Sequence, residues 1–112
     1  MDIKDLIRLQ QEFDDAHFPK LSGLPGSDET RVQLFSFLAI SILGELGEFA
    51  NIIKKIQRGD TTLESSLTQL RAEAVDVFIY LMKVCRQLDM DLEQAYLEKL
   101  RINAERFKEM RD

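Results

Sequence analysis

The sequence predicts an all-α protein, folded as a four-helix bundle. Three observations carry that expectation. Apolar residues recur at three- and four-residue spacing through most of the chain, and no run shows the strict alternation of a strand. Only two prolines and five glycines occur in 112 residues, which leaves room for long uninterrupted helices. The periodic segments are joined by short connections, as in a bundle. A chain of this length has room for one domain (residues 1–112) and buries only about two-thirds of its unfolded surface, so completion by oligomerisation is expected.

The first helix is expected over about residues 2–18, with Asp2 as N-cap and Ile3, Leu6, Ile7 and Phe13 along one side. Pro19 through Ser27 holds both prolines and reads as the one substantial loop. A long second helix follows over about residues 28–58, with Gly59 placed to end it. Thr61-x-x-Glu64 has capping-box form and opens a third helix over about residues 62–88. Asp91-x-x-Gln94 opens the fourth, over about residues 91–110.

The second helix is apolar nearly all round. Leu38, Ile42, Phe49, Ile52 and Ile56 fall in a stripe about 80° wide, at about 100° per residue. Phe35, Phe37, Ile40, Leu43 and Leu46 spread apolar surface over most of the rest. Such a helix must be covered on several sides, so a second subunit is expected to help cover it, in a homodimer or homotetramer.

Charge and cysteine usage narrow the class. A net charge of −5 argues against a nucleic-acid polymer and against an anionic membrane surface. The longest uncharged run, Val32 to Gly44, has 13 residues and is short for a bilayer span. The start of the chain carries charge throughout and shows no secretory signal. The single Cys85 sits in an apolar helical stretch and reads as a buried structural thiol. A reducing, cytoplasmic setting is therefore expected.

Between Val32 and Ile53 the only charged side chains are Glu45 and Glu48. Glu45 lies in the middle of the apolar stripe, and Glu48 is one turn on, beside Ser41. Burying a carboxylate costs several kcal/mol unless it is paired, hydrogen-bonded or bound to a metal. Either a functional site or a buried salt bridge to another helix meets that requirement. A second pair, Glu73 and Asp76, follows on the third helix. The apolar stripe there (Leu67, Leu70, Ala74, Phe78, Leu81, Cys85) points the other way, and the pair shares its face with Gln69, Tyr80 and Lys83. Periodicity alone leaves inward-facing and solvent-facing readings of this pair open.

If the two helices pack antiparallel, four carboxylates converge. Their mutual repulsion would raise pKa values, and a hard divalent cation, Mg²⁺ or Mn²⁺, would relieve it. Zinc is disfavoured: His17 and Cys85 are the only residues of their types and show no ligand spacing. On the fourth helix Lys99, Asn103 and Arg106 cluster on one side. They suit a phosphate clamp or salt bridges to the acids, and taken alone the second fits better.

Glu45-x-x-Glu48, then 24 residues, then Glu73-x-x-Asp76 resembles the ExxE…ExxD signature of the MazG-like all-α nucleotide pyrophosphohydrolases. The surroundings agree, with GELGEFANIIKK about the first pair and EAVDVFIYLMKV about the second. The tail MDLEQAYLEKLRINAERF resembles that superfamily's closing Lys-x-x-x-Asn-x-x-Arg helix. The likeness runs from Val32 to Phe107, and the segment through Ser27 lies outside it.

The resemblance implies Mg²⁺-dependent hydrolysis of a nucleoside triphosphate to its monophosphate and pyrophosphate. It assigns Glu45, Glu48, Glu73 and Asp76 as metal ligands, with Glu48 or Glu45 also serving to activate water. It assigns Lys99 and Arg106 to the phosphate tail, with Asn103 bonding to it or to a metal-bound carboxylate; Lys55, on the Glu48 side of its helix, is placed to assist. A base would need an apolar slot, for which Phe13, Phe18 and Phe49 are candidates. The competing expectations are a phosphoribosyl-ATP pyrophosphohydrolase-like enzyme and a non-catalytic helical dimer acting as adaptor or regulator. A carboxylate-bridged di-iron protein is disfavoured, because neither pair contains a histidine.

Overall fold

The computed structural model describes residues 1–19 and 26–110. The loop expected over Pro19–Ser27 lies largely outside the described residues. Four helices are described: α1 (Ile3–His17), α2 (Asp28–Gln57), α3 (Leu63–Gln87) and α4 (Leu92–Arg106). The described residues form an all-helical bundle.

Local chemistry explains the helix ends. Asp2 and Asp5 form a reciprocal capping box at α1: the Asp5 N–H donates to Asp2 Oδ1 (3.0 Å) and the Asp2 N–H to Asp5 Oδ2 (2.9 Å). Ser27 and Thr30 do the same for α2. Acidic Asp28 and Glu29 in its first turn and Lys54 and Lys55 in its last suit the helix dipole. At its end, Gly59 takes φ 84° while the N–H groups of Gly59 and Asp60 donate to the carbonyls of Ile56 and Lys55. That pattern is a Schellman close, as the position of Gly59 suggested.

Two boundaries differ from the sequence reading. The cap of α3 is Thr62, one residue beyond the expected Thr61, and its hydroxyl accepts from the Ser65 N–H (3.2 Å). The Thr61–Glu64 box is therefore not formed; Thr61 instead places its hydroxyl 3.0 Å from that of Ser65. The same Schellman bonds close α3, with Asp89 rather than a glycine at the positive φ of 51°. Asp91 caps α4 as expected, but α4 ends at Arg106 rather than near Met110, with Phe107 as its C-cap.

An antiparallel pairing of α2 with α3 forms the centre of the molecule, and Leu38, Ile52, Leu70, Met82 and Cys85 are its buried apolar residues. α1 lies across α3, tied there by Asp14 Oδ1 to Lys83 Nζ at 3.4 Å. α4 rests mainly on α1, where Lys4 Nζ reaches the Asp91 carboxylate at 3.1 Å. The radius of gyration is 17.5 Å, against about 13 Å for a compact domain of this length.

Much apolar surface is consequently open. Ile40 and Leu43 on α2 are 65% and 67% exposed, and Tyr96, Leu97 and Leu100 on α4 are also exposed. At 30 residues, with mean hydropathy 1.4 in its most apolar stretch, α2 is long and apolar enough to cross a membrane by length and composition.

Candidate metal centre

The antiparallel pairing brings the two acidic pairs together. One carboxylate oxygen each from Glu45, Glu73 and Asp76 lies within 4.8 Å of the others. All three side chains are half-buried, and Glu48 is exposed at the rim. Glu45 sits midway between the buried Leu38 and Ile52, seven residues from each, which fixes it on the inner face of α2.

On α3 the buried face is wider than the apolar stripe. Ser66 and Gln87 are buried along with Leu70, Met82 and Cys85, whereas Ala74 and Leu81 are exposed. The helix is rotated so that its polar side, with Glu73, Asp76, Tyr80 and Lys83, faces α2 and α1. The Asp14–Lys83 pair shows why: the charge on that side finds its partner inside the molecule.

Charge is packed tightly here without compensation. Among the described residues no salt bridge reaches any of the four carboxylates. Glu45 Oε2 and Glu73 Oε2 are buried with no hydrogen-bond partner. The Glu73 carboxyl is pushed up to about 7, chiefly by the Glu45 carboxylate that can accept its proton, then by burial, then by Glu48. An all-oxygen set with two stranded oxygens suits a small hard cation, which would satisfy both and displace the Glu73 proton.

Among the described residues no salt bridge joins Lys55, Lys99 or Arg106 to this centre. Lys55 lies exposed in the last turn of α2. Lys99 and Arg106 are exposed on α4, Asn103 is half-buried, and α4 keeps to α1. Arg106 lies 4.8 Å over the Phe107 ring.

Comparison with curated proteins gives a match to a phage protein. The chain is 36% identical over 89 residues to the Gene 37 protein of Mycobacterium phage L5, covering 73% of this chain and 77% of that one. The chain belongs to the family of the phage L5 Gene 37 protein. That name states no activity. No family model matches the chain, and no solved structure matches it.

In this member of the Gene 37 family the structure also draws together a residue that sequence reasoning passed over, Asp14, with several that it named. Asp14, Phe18, Phe37, Leu38, Tyr80 and Lys83 line a pocket of about 150 Å³ between α1, α2 and α3. Of the aromatic residues considered for a base slot, Phe18 lines it, while Phe13 stacks on His17 at 4.3 Å and Phe49 is not among the lining residues. Asp14 carried a usable signal. It falls within about 40° of Ile3 and Ile7 on the α1 wheel, so it is a carboxylate in an apolar stripe, as Glu45 is.

Proposed function

We propose that the chain is a divalent-cation-dependent nucleoside triphosphate pyrophosphohydrolase of the MazG-like kind. It would convert an NTP or dNTP and water to the monophosphate and pyrophosphate. The observation that carries this reading is the meeting of Glu45, Glu73 and Asp76 within 4.8 Å, with two buried oxygens lacking partners.

Glu45, Glu73 and Asp76 would hold Mg²⁺, or Mn²⁺ in its place, with Glu48 joining them from the rim. When bound, the cation supplies neutralisation of phosphate charge. Glu48 is the most accessible of the four and takes the task of orienting the attacking water and accepting its proton. Lys99, Asn103 and Arg106, with Lys55, grip phosphate oxygens. Since α4 lies on α1, that grip belongs to a homodimer or homotetramer in which a second subunit also covers Ile40 and Leu43. A cytoplasmic setting fits the same reading, with Cys85 buried as an inert thiol whose pKa burial raises.

The test is pyrophosphate release across a panel of canonical and modified dNTPs with MgCl₂. Glu45→Ala and Asp76→Ala should each lower turnover by about a hundredfold or more while far-ultraviolet circular dichroism stays helical. Unchanged turnover in both variants would remove the site.

The open apolar surface of α2 and α4 supports a second reading, a non-catalytic helical dimer acting as adaptor. Thermal melts in MgCl₂ and in EDTA separate the two, because a cation that binds only the folded chain must raise the melting temperature. A bilayer span by α2 is disfavoured: a carboxylate at a membrane centre costs about 3 kcal/mol, and α2 carries two there, paired with a helix bearing Arg71, Glu73, Asp76 and Lys83.

A further inference from the structure

The pocket between α1, α2 and α3 lies on the same inner face as the carboxylates. Tyr80 is one turn along α3 from Asp76, about 6 Å, and Leu38 is two turns along α2 from Glu45, about 10 Å. A sugar spans such a gap, so a nucleotide whose phosphates lie at the carboxylates has its base at the pocket.

We infer that this pocket is a nucleobase site selective for pyrimidines, an inference that rests on the nucleotide reading above. Size is the first argument. The volume is about 150 Å³, and a cavity of about that size holds one benzene ring, so a single six-membered ring matches it and a fused purine exceeds it.

Wall chemistry is the second argument. Phe18, Phe37 and Tyr80 offer aromatic surfaces for a planar ring. Asp14 is 4% exposed, and its Oδ1 accepts from Gln10 Nε2 at 3.0 Å and forms an ion pair with Lys83 Nζ at 3.4 Å. Lys83 is itself held over the rings of Tyr80 (5.0 Å) and Phe18 (5.9 Å). The pocket thus presents a carboxylate acceptor beside an ammonium donor, both fixed in place. A base edge with an N–H donor next to a carbonyl oxygen or ring nitrogen is the complement, and the pyrimidine that the volume admits carries one; a ring lacking such an edge would leave the buried pair unmatched.

The test is calorimetric titration with dCMP, dUMP, dAMP and dGMP in MgCl₂, with inorganic pyrophosphate and MgCl₂ as the base-free probe. At least one pyrimidine monophosphate should bind tenfold or more tighter than either purine. Phe37→Ala, a half-exposed position whose loss leaves the core intact, should erase that preference without weakening pyrophosphate binding. Equal affinity for all four monophosphates, or a preference that survives the variant, overturns the pocket assignment. Failure of the nucleotide reading has a separate signature: pyrophosphate with MgCl₂ then fails to bind the wild-type chain at all. In that event, binding of deoxycytidine or deoxyuridine alone in EDTA would uphold the pocket, and its absence would overturn it.

Discussion

At Glu73 the molecule carries a cost in its metal-free form. Its carboxyl titrates near 7 in the fold, against an ordinary value of 4.5, so the folded chain binds the proton more tightly than the unfolded chain does. Stability therefore falls as pH rises between those two values. In EDTA the melting temperature should be higher at about pH 5 than at about pH 8, and Glu73→Gln should flatten that decline. A steeper fall in the variant would refute the assignment. MgCl₂ should remove the decline as well, with cation affinity rising as Glu73 deprotonates. Asp5, Asp91 and Glu98 work in the opposite direction. Backbone N–H groups at the caps lower Asp5 and Asp91, and Arg101 lowers Glu98, so their stabilisation is present at neutral pH and lost on acidification below the usual carboxylate range.

Helix termini give the sharpest checks on individual elements. No atom lies within 4 Å of a Cβ added at Gly59, so only its positive φ resists substitution. Gly59→Ala should cost about 1 kcal/mol by urea denaturation, and Gly59→Asn should recover part of it. Thr62→Ala should cost about 1 kcal/mol and Thr61→Ala clearly less, which tests where α3 begins. These ends also show what was legible in the sequence. Asp2, Gly59 and Asp91 do the expected work because capping depends on one residue and its immediate neighbours. Glu45 was legible for a related reason, since its apolar neighbours lie on its own helix. The orientation of Glu73 was not, because it depends on α1 supplying Asp14 for Lys83, a contact between residues far apart in sequence. The position of α4 was hidden in the same way, by its dependence on Lys4 and Asp91.

The whole molecule is larger than its length warrants, with a radius of gyration of 17.5 Å. Three helices of one chain do not cover α2, whose Ile40 and Leu43 remain about two-thirds exposed. Sedimentation should show the wild-type chain as a dimer or larger species. The double variant Ile40→Glu, Leu43→Glu should sediment as a monomer and keep its helical signal, because neither side chain belongs to the buried core. A wild-type monomer at micromolar concentration would show that the open face has another use.

The way α1 is attached has a consequence of its own. Its one buried residue is the charged Asp14, so the helix is held more by ionic contacts to Lys83 and Asp91 than by oil. Such contacts weaken in brine, where the screening length shrinks to about 3 Å at 1 M. Deuterium should enter the amides of α1 faster as salt is added while α2 and α3 hold their protons. Because Phe18 follows directly on α1 and lines the aromatic pocket, each such detachment would unlatch one wall of it without opening the central helix pair.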